Sequence, residues 1–132
     1  MADKPRLEPD LVRQFVADAH SNFASVRDLL GGQPALVNAA WDWGAGDWET
    51  ALGAAAHMGR KDIAWFLLER GARMDIFAAA MLGHLDVVRA TIAEVPQART
   101  WLGPHGIPLL KHAEAGGAEA VVVVDYLRGL GD

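Results

Sequence analysis

In a chain of 132 residues without a single cysteine, chemistry near neutral pH falls to five histidines and the carboxylates around them. His20 and His57 fall on neighbouring inner helices of two similar segments, and Asp42, Asp47 and Glu49 lie between them on a stretch rich in glycine and tryptophan. A histidine beside a carboxylate can hold and move a proton, so an acid/base pair is conceivable there. No nucleophile motif, glycine-rich phosphate loop or metal-binding histidine spacing accompanies it, and the interval from His105 to His112 does not suit a zinc site. The expectation is therefore of binding, with no catalytic residue, no cofactor and no metal. His84 reads as part of a turn between helices, His112 as packed or hydrogen-bonded, and His105 as the tip of a Pro-x-Gly turn able to touch a partner alongside Trp101.

The tryptophans carry the other signal. Trp41, Trp43 and Trp48 fall within residues 38–49, where a connection would ordinarily be polar. Two readings stand side by side. The indoles fold back over the apolar edge of the domain, or they form a binding rim, since amphipathic rings serve as anchors at interfaces and around ligand pockets. Trp65, beside Phe66, reads as a partly exposed packing residue.

Composition limits the classes of partner. Twelve Lys and Arg against 17 Asp and Glu give a net charge of −5, and no basic stripe exists to meet a phosphate backbone. Nucleic acid is not expected as a partner. The longest aliphatic run, Ala120 to Val124, is far too short to span a bilayer, and Met-Ala-Asp-Lys-Pro-Arg leads into no apolar run, so a cytoplasmic location and no membrane partner are expected.

Such residues need elements to position them, and those elements repeat. Residues 47–75 read D-W-E-T-A-L-G-A-A-A-H-M-G-R-K-D-I-A-W-F-L-L-E-R-G-A-R-M-D. A second copy begins at Phe77 and aligns Gly83 with Gly59 and Asp86 with Asp62. A third runs from Gly106 with Gly116 in the same slot, and a weaker first copy begins at Phe15 with Ser21 there. Glycine in that slot suits the left-handed end of a helix. The 47–75 segment resembles the ankyrin repeat, D-G-x-T-P-L-H-x-A-A-x-x-G-H-x-E-V-V-x-L-L-L-x-x-G-A-D-V-N. It departs at Trp48, Ala51, Gly53 and Arg60.

The resemblance implies an all-α solenoid of about four helix-turn-helix units in one domain over 1–132, with short or missing β-hairpins; the repeats run roughly over 9–40, 47–75, 76–98 and 103–130. The slots Ser21, Gly59, Gly83 and Gly116 are spaced 38, 24 and 33 residues apart, of which only the last equals the family period of about 33. The short interval leaves no room for a hairpin before the third unit, and the long one makes residues 38–49 an oversized finger. In this family partners meet the finger tips and the inner, concave face. The expected site is then a groove of His20, His57, Met58, Met81 and Leu82, rimmed by Trp41, Asp42, Trp43, Trp48, Glu49, Trp101 and His105. Its expected occupant is an apolar segment of another protein; the alternative is a small apolar or aromatic ligand, or a modest acid/base enzyme built in the same groove.

Overall fold

A computed structural model describes residues 4–131. Three helix starts follow from a side-chain cap. Asn22, Thr50 and Asp75 each accept a hydrogen bond from the backbone N–H three residues on, which satisfies one of the free donors at the start of the helices that follow them. Four consecutive pairs result: α1 (Pro9–Asp18) with α2 (Phe23–Gly32), α3 (Ala51–His57) with α4 (Lys61–Glu69), α5 (Ile76–Leu82) with α6 (Leu85–Glu94), and α7 (Leu109–Ala115) with α8 (Val121–Gly129). The first helices of the pairs stack in chain order, α1 on α3, α3 on α5 and α5 on α7, while α2 lies on α4 and α6 on α8. None of the described helices is long and apolar enough to cross a membrane.

Alanine makes the inner layer tight. Ala54, Ala55 and Ala56 on α3 and Ala78, Ala79 and Ala80 on α5 are fully buried, so neighbouring backbones approach closely. Leu67, Ile63, Val88 and Val123 fill the second layer. Met81 and Leu82, expected to line an exposed groove, are instead 0% and 7% exposed. Both sit at the end of α5, the helix sandwiched between α3 and α7, and belong to the core.

The glycine slots divide in two. Gly59 and Gly83 adopt positive φ, as a left-handed helix end requires. Gly116 does not; its φ is −73°. A Cβ there would lie 2.1 Å from the Met81 carbonyl oxygen, so close backbone approach, rather than conformation, demands glycine.

The fingers are uneven, as the spacings suggest. Residues 38–49 carry a two-stranded antiparallel hairpin, β1 (Ala40–Asp42) and β2 (Trp48–Thr50), with Trp41 opposite Glu49. Before α5 there is no strand: residues 72–75 run straight into the helix. The Asn38 side chain clasps this short connection, donating to the Gly71 carbonyl (3.0 Å) and accepting from the Arg73 N–H (2.9 Å). In the fourth unit a single bridge, Leu102 to Pro108, closes a tight loop.

Candidate functional site

The missing third finger lets the second and fourth touch. Pro104, in the loop 103–107, comes to the start of α3, where a Cβ on Gly53 would already be 3.4 Å from it. Next in the loop, His105 is held in a left-handed backbone conformation (φ 62°) that non-glycine residues rarely adopt. Asp47 of the hairpin holds it there, accepting from the His105 backbone N–H and from its ring Nδ1, both at 2.8 Å.

The ring of His105 thereby turns inward. Its Nε2 lies 3.4 Å from a carboxylate oxygen of Glu49, which β2 directs into the domain. The His57 ring, at the end of α3, reaches the other oxygen at 2.9 Å. From the turn after α1, His20 approaches the first oxygen at 3.2 Å. The Trp43 indole N–H donates to it at 2.8 Å. Three imidazoles thus converge on one carboxylate that is 1% exposed. Their rings stand edge to face, His20 against His57 at 4.9 Å and His57 against His105 at 5.4 Å.

Burial pushes the Glu49 carboxyl up, but hydrogen bonds from His20, His57 and Trp43 and the charge of His20 outweigh it and hold it down at about 2. The hydrogen bond to Glu49, against the opposing pull of burial, raises His20 above its ordinary value. A carboxylate held that low is a poor proton acceptor at neutral pH, which weighs against an acid/base role for Glu49. What this arrangement offers chemically is a preformed set of nitrogen and oxygen donors around one point.

The remaining expected residues separate. Trp41 packs against the core beside α1. Asp42 shapes the hairpin, its carboxylate accepting from the N–H groups of Gly44 and Gly46 at 2.8 and 3.0 Å. Trp48, Met58 and Trp101 are exposed. Of the other histidines, His84 packs on Trp65 with ring centres 5.5 Å apart. His112 is fully buried against Phe77, its Nδ1 donating to the Pro108 carbonyl at 3.0 Å. Asp47, considered at first only as a proton partner, is the residue that orients His105. Its role is invisible in the sequence because 58 residues separate the two.

Residues 47–78 match the family model of the ankyrin repeat. This segment is an ankyrin repeat. The matched residues cover β2, α3, α4 and the start of α5, and include Asp47, Glu49 and His57. No curated protein and no solved structure matches the chain. Ankyrin repeats bind other proteins, and this stack follows the same helix-pair plan with one finger lost. Glu49 and His57 thus sit on the ankyrin unit itself, whereas His20 comes from the first helix pair and His105 from the loop that leads into the fourth.

Proposed function

We propose that this chain is a docking module for another protein, and that it binds through the finger side of the stack. The three other helix pairs are read as diverged copies of the matched repeat. The observation that carries the reading is the gap left by the missing third finger. It is an open cavity of about 310 Å³ between the hairpin and the 101–108 loop, floored by Phe77 and Gly53. On its two walls stand Trp48 and Leu102, which are 60% and 63% exposed. Large apolar side chains facing each other across an open slot suit the anchor residues of an apolar peptide or loop.

The corresponding experiment uses a displayed library of random peptides panned on the intact protein and on the Trp48→Ala/Leu102→Ser double variant. Enrichment of a shared apolar motif on the wild type, with affinity reduced about 30-fold or more in the variant, is the expected result; this is the loss for truncating an anchor worth about 2 kcal/mol. A motif that binds both proteins equally, or no motif at all, overturns the assignment. Both side chains are mostly exposed, so the thermal midpoint should stay unchanged.

A further inference from the structure

The geometry points to a metal centre: we infer that His20, Glu49, His57 and His105 bind one divalent transition-metal ion, zinc foremost. One ligand atom from each lies within 4.8 Å of all the others. Bond lengths of about 2.0–2.2 Å to zinc give a tetrahedron whose edges are about 3.4 Å. Two histidine-to-glutamate separations to the same carboxylate oxygen, 3.2 Å from His20 and 3.4 Å from His105, lie close to those edges, and His57 reaches the other oxygen at 2.9 Å. The His20 and His105 rings are both reached by solvent.

The hydrogen bonds on the far side of the rings supply an independent argument. His20 Nδ1 faces the carbonyl oxygens of Val16 and Ala17 at 3.1 and 2.9 Å. His105 Nδ1 faces the Asp47 carboxylate. All of these are acceptors, so each Nδ1 carries a proton. Without an ion, Nε2 faces Glu49 only by carrying a second proton that it donates to the carboxylate. A cation can take the place of that proton, with Nε2 giving its lone pair to the ion and Nδ1–H held by its outer partner. Carbonyl–histidine–metal and carboxylate–histidine–metal chains of this kind orient ligands in metal sites. The strained backbone of His105 fits the same picture, since such conformations persist where surrounding contacts over-determine them and gather at functional sites.

Imidazole nitrogens with one carboxylate and no thiolate select zinc, nickel, copper or iron over magnesium or calcium, which prefer all-oxygen sites. The four ligands belong to the turn after α1, to β2, to the end of α3 and to the loop before α7. The ion would therefore clip the first two helix pairs to the fourth. The sequence argued against a metal because the histidine spacings were weighed locally, whereas the ligands are 29, 8 and 48 residues apart along the chain. This inference is independent of the docking surface, because Trp48 and Leu102 are not ligands.

The test uses the full chain, stripped by a chelator and dialysed. Titration with zinc chloride in a calorimeter should show one equivalent bound, with cobalt(II) giving the intense visible absorption of a four-coordinate site that zinc then bleaches. His105→Ala removes a ring at the surface and should leave the far-ultraviolet circular dichroism unchanged while weakening zinc binding by more than about 100-fold, beyond the usual effect of losing an outer-shell partner. His20→Gln should act likewise, and His84→Ala, which alters a histidine outside the cluster, should have no effect. Absence of saturable one-to-one binding to the wild type overturns the inference. So does a His105→Ala protein that retains wild-type affinity, or equal competition by calcium.

Discussion

Glu49 has lost nearly all contact with water yet stays charged, because donors surround it on every side: three imidazole edges and the Trp43 indole. Removing its charge while keeping its shape tests how much the cluster depends on it. Glu49→Gln should abolish cobalt absorption and lower the thermal midpoint of the chelator-treated protein, because the histidines then lose the carboxylate that they face. Asp47 acts one shell further out. Asp47→Asn should fold normally and weaken zinc binding about 10- to 100-fold, measured by competition with a chromogenic chelator. His112 carries a different pH signature. Burial, opposed by its hydrogen bond to Pro108, holds it below its ordinary value of 6.5. The unfolded chain then takes up the proton more readily than the folded one. Stability from the neutral, buried ring is present above pH 6.5 and is lost as pH falls through the lower, folded value. Urea denaturation of chelator-treated protein at pH 7.5 and 5 should therefore show a smaller acid loss for His112→Leu than for the wild type. An equal loss would remove His112 as a source of acid sensitivity.

At the scale of the element, glycines set how close the helices come. Gly83 combines a positive φ with a Cβ position 2.2 Å from the Glu119 carbonyl oxygen, and Gly116 meets Met81 in the same way without the unusual φ. Gly83→Ala should cost about 2–3 kcal/mol by urea denaturation, from both the backbone strain and the overpacking. Gly116→Ala should cost about 1–3 kcal/mol from overpacking alone. If Gly116→Ala is neutral, the packing explanation for that slot fails. The hairpin is held from three directions: Asp42 turns it, Trp41 anchors it to α1, and Asp47 ties it to the loop of the fourth unit. Its tryptophans do not share one task. Trp41 packs, Trp43 donates to Glu49, and Trp48 stays open on the cavity wall. The reading as cover therefore fits Trp41, while Trp48 is left exposed, as the proposed docking slot requires.

The whole molecule is a stack whose neighbours touch in order, but the second and fourth units also meet, through α3 and α7, through Gly59 beside Ala115, and through the hairpin and the 103–107 loop. The contact between the second hairpin and the 103–107 loop skips the third unit and exists because that unit has no finger. A solenoid is ordinarily a chain of nearest-neighbour contacts; here a longer-range clip is added. Zinc should therefore slow amide exchange in residues 40–50 and 102–108 together, with little effect on α6, as read by exchange mass spectrometry. Uniform protection, or none, would argue against a clip. Much of this was legible beforehand. The glycine slots, the alanine-rich inner helices and the interval of 24 residues between Gly59 and Gly83 determined an ankyrin-like stack of helix pairs with one finger lost and one enlarged. They follow from local rules of capping, turn chemistry and helical periodicity, which act over a few residues. The column reading failed at Met81 and Leu82, since helical position alone does not reveal that α5 is enclosed between α3 and α7. The histidines and Glu49 were each noticed, but not as one cluster. Only the tertiary structure decided that His20, Glu49, His57 and His105 meet, because their approach depends on a missing hairpin bringing together segments that are distant in the chain.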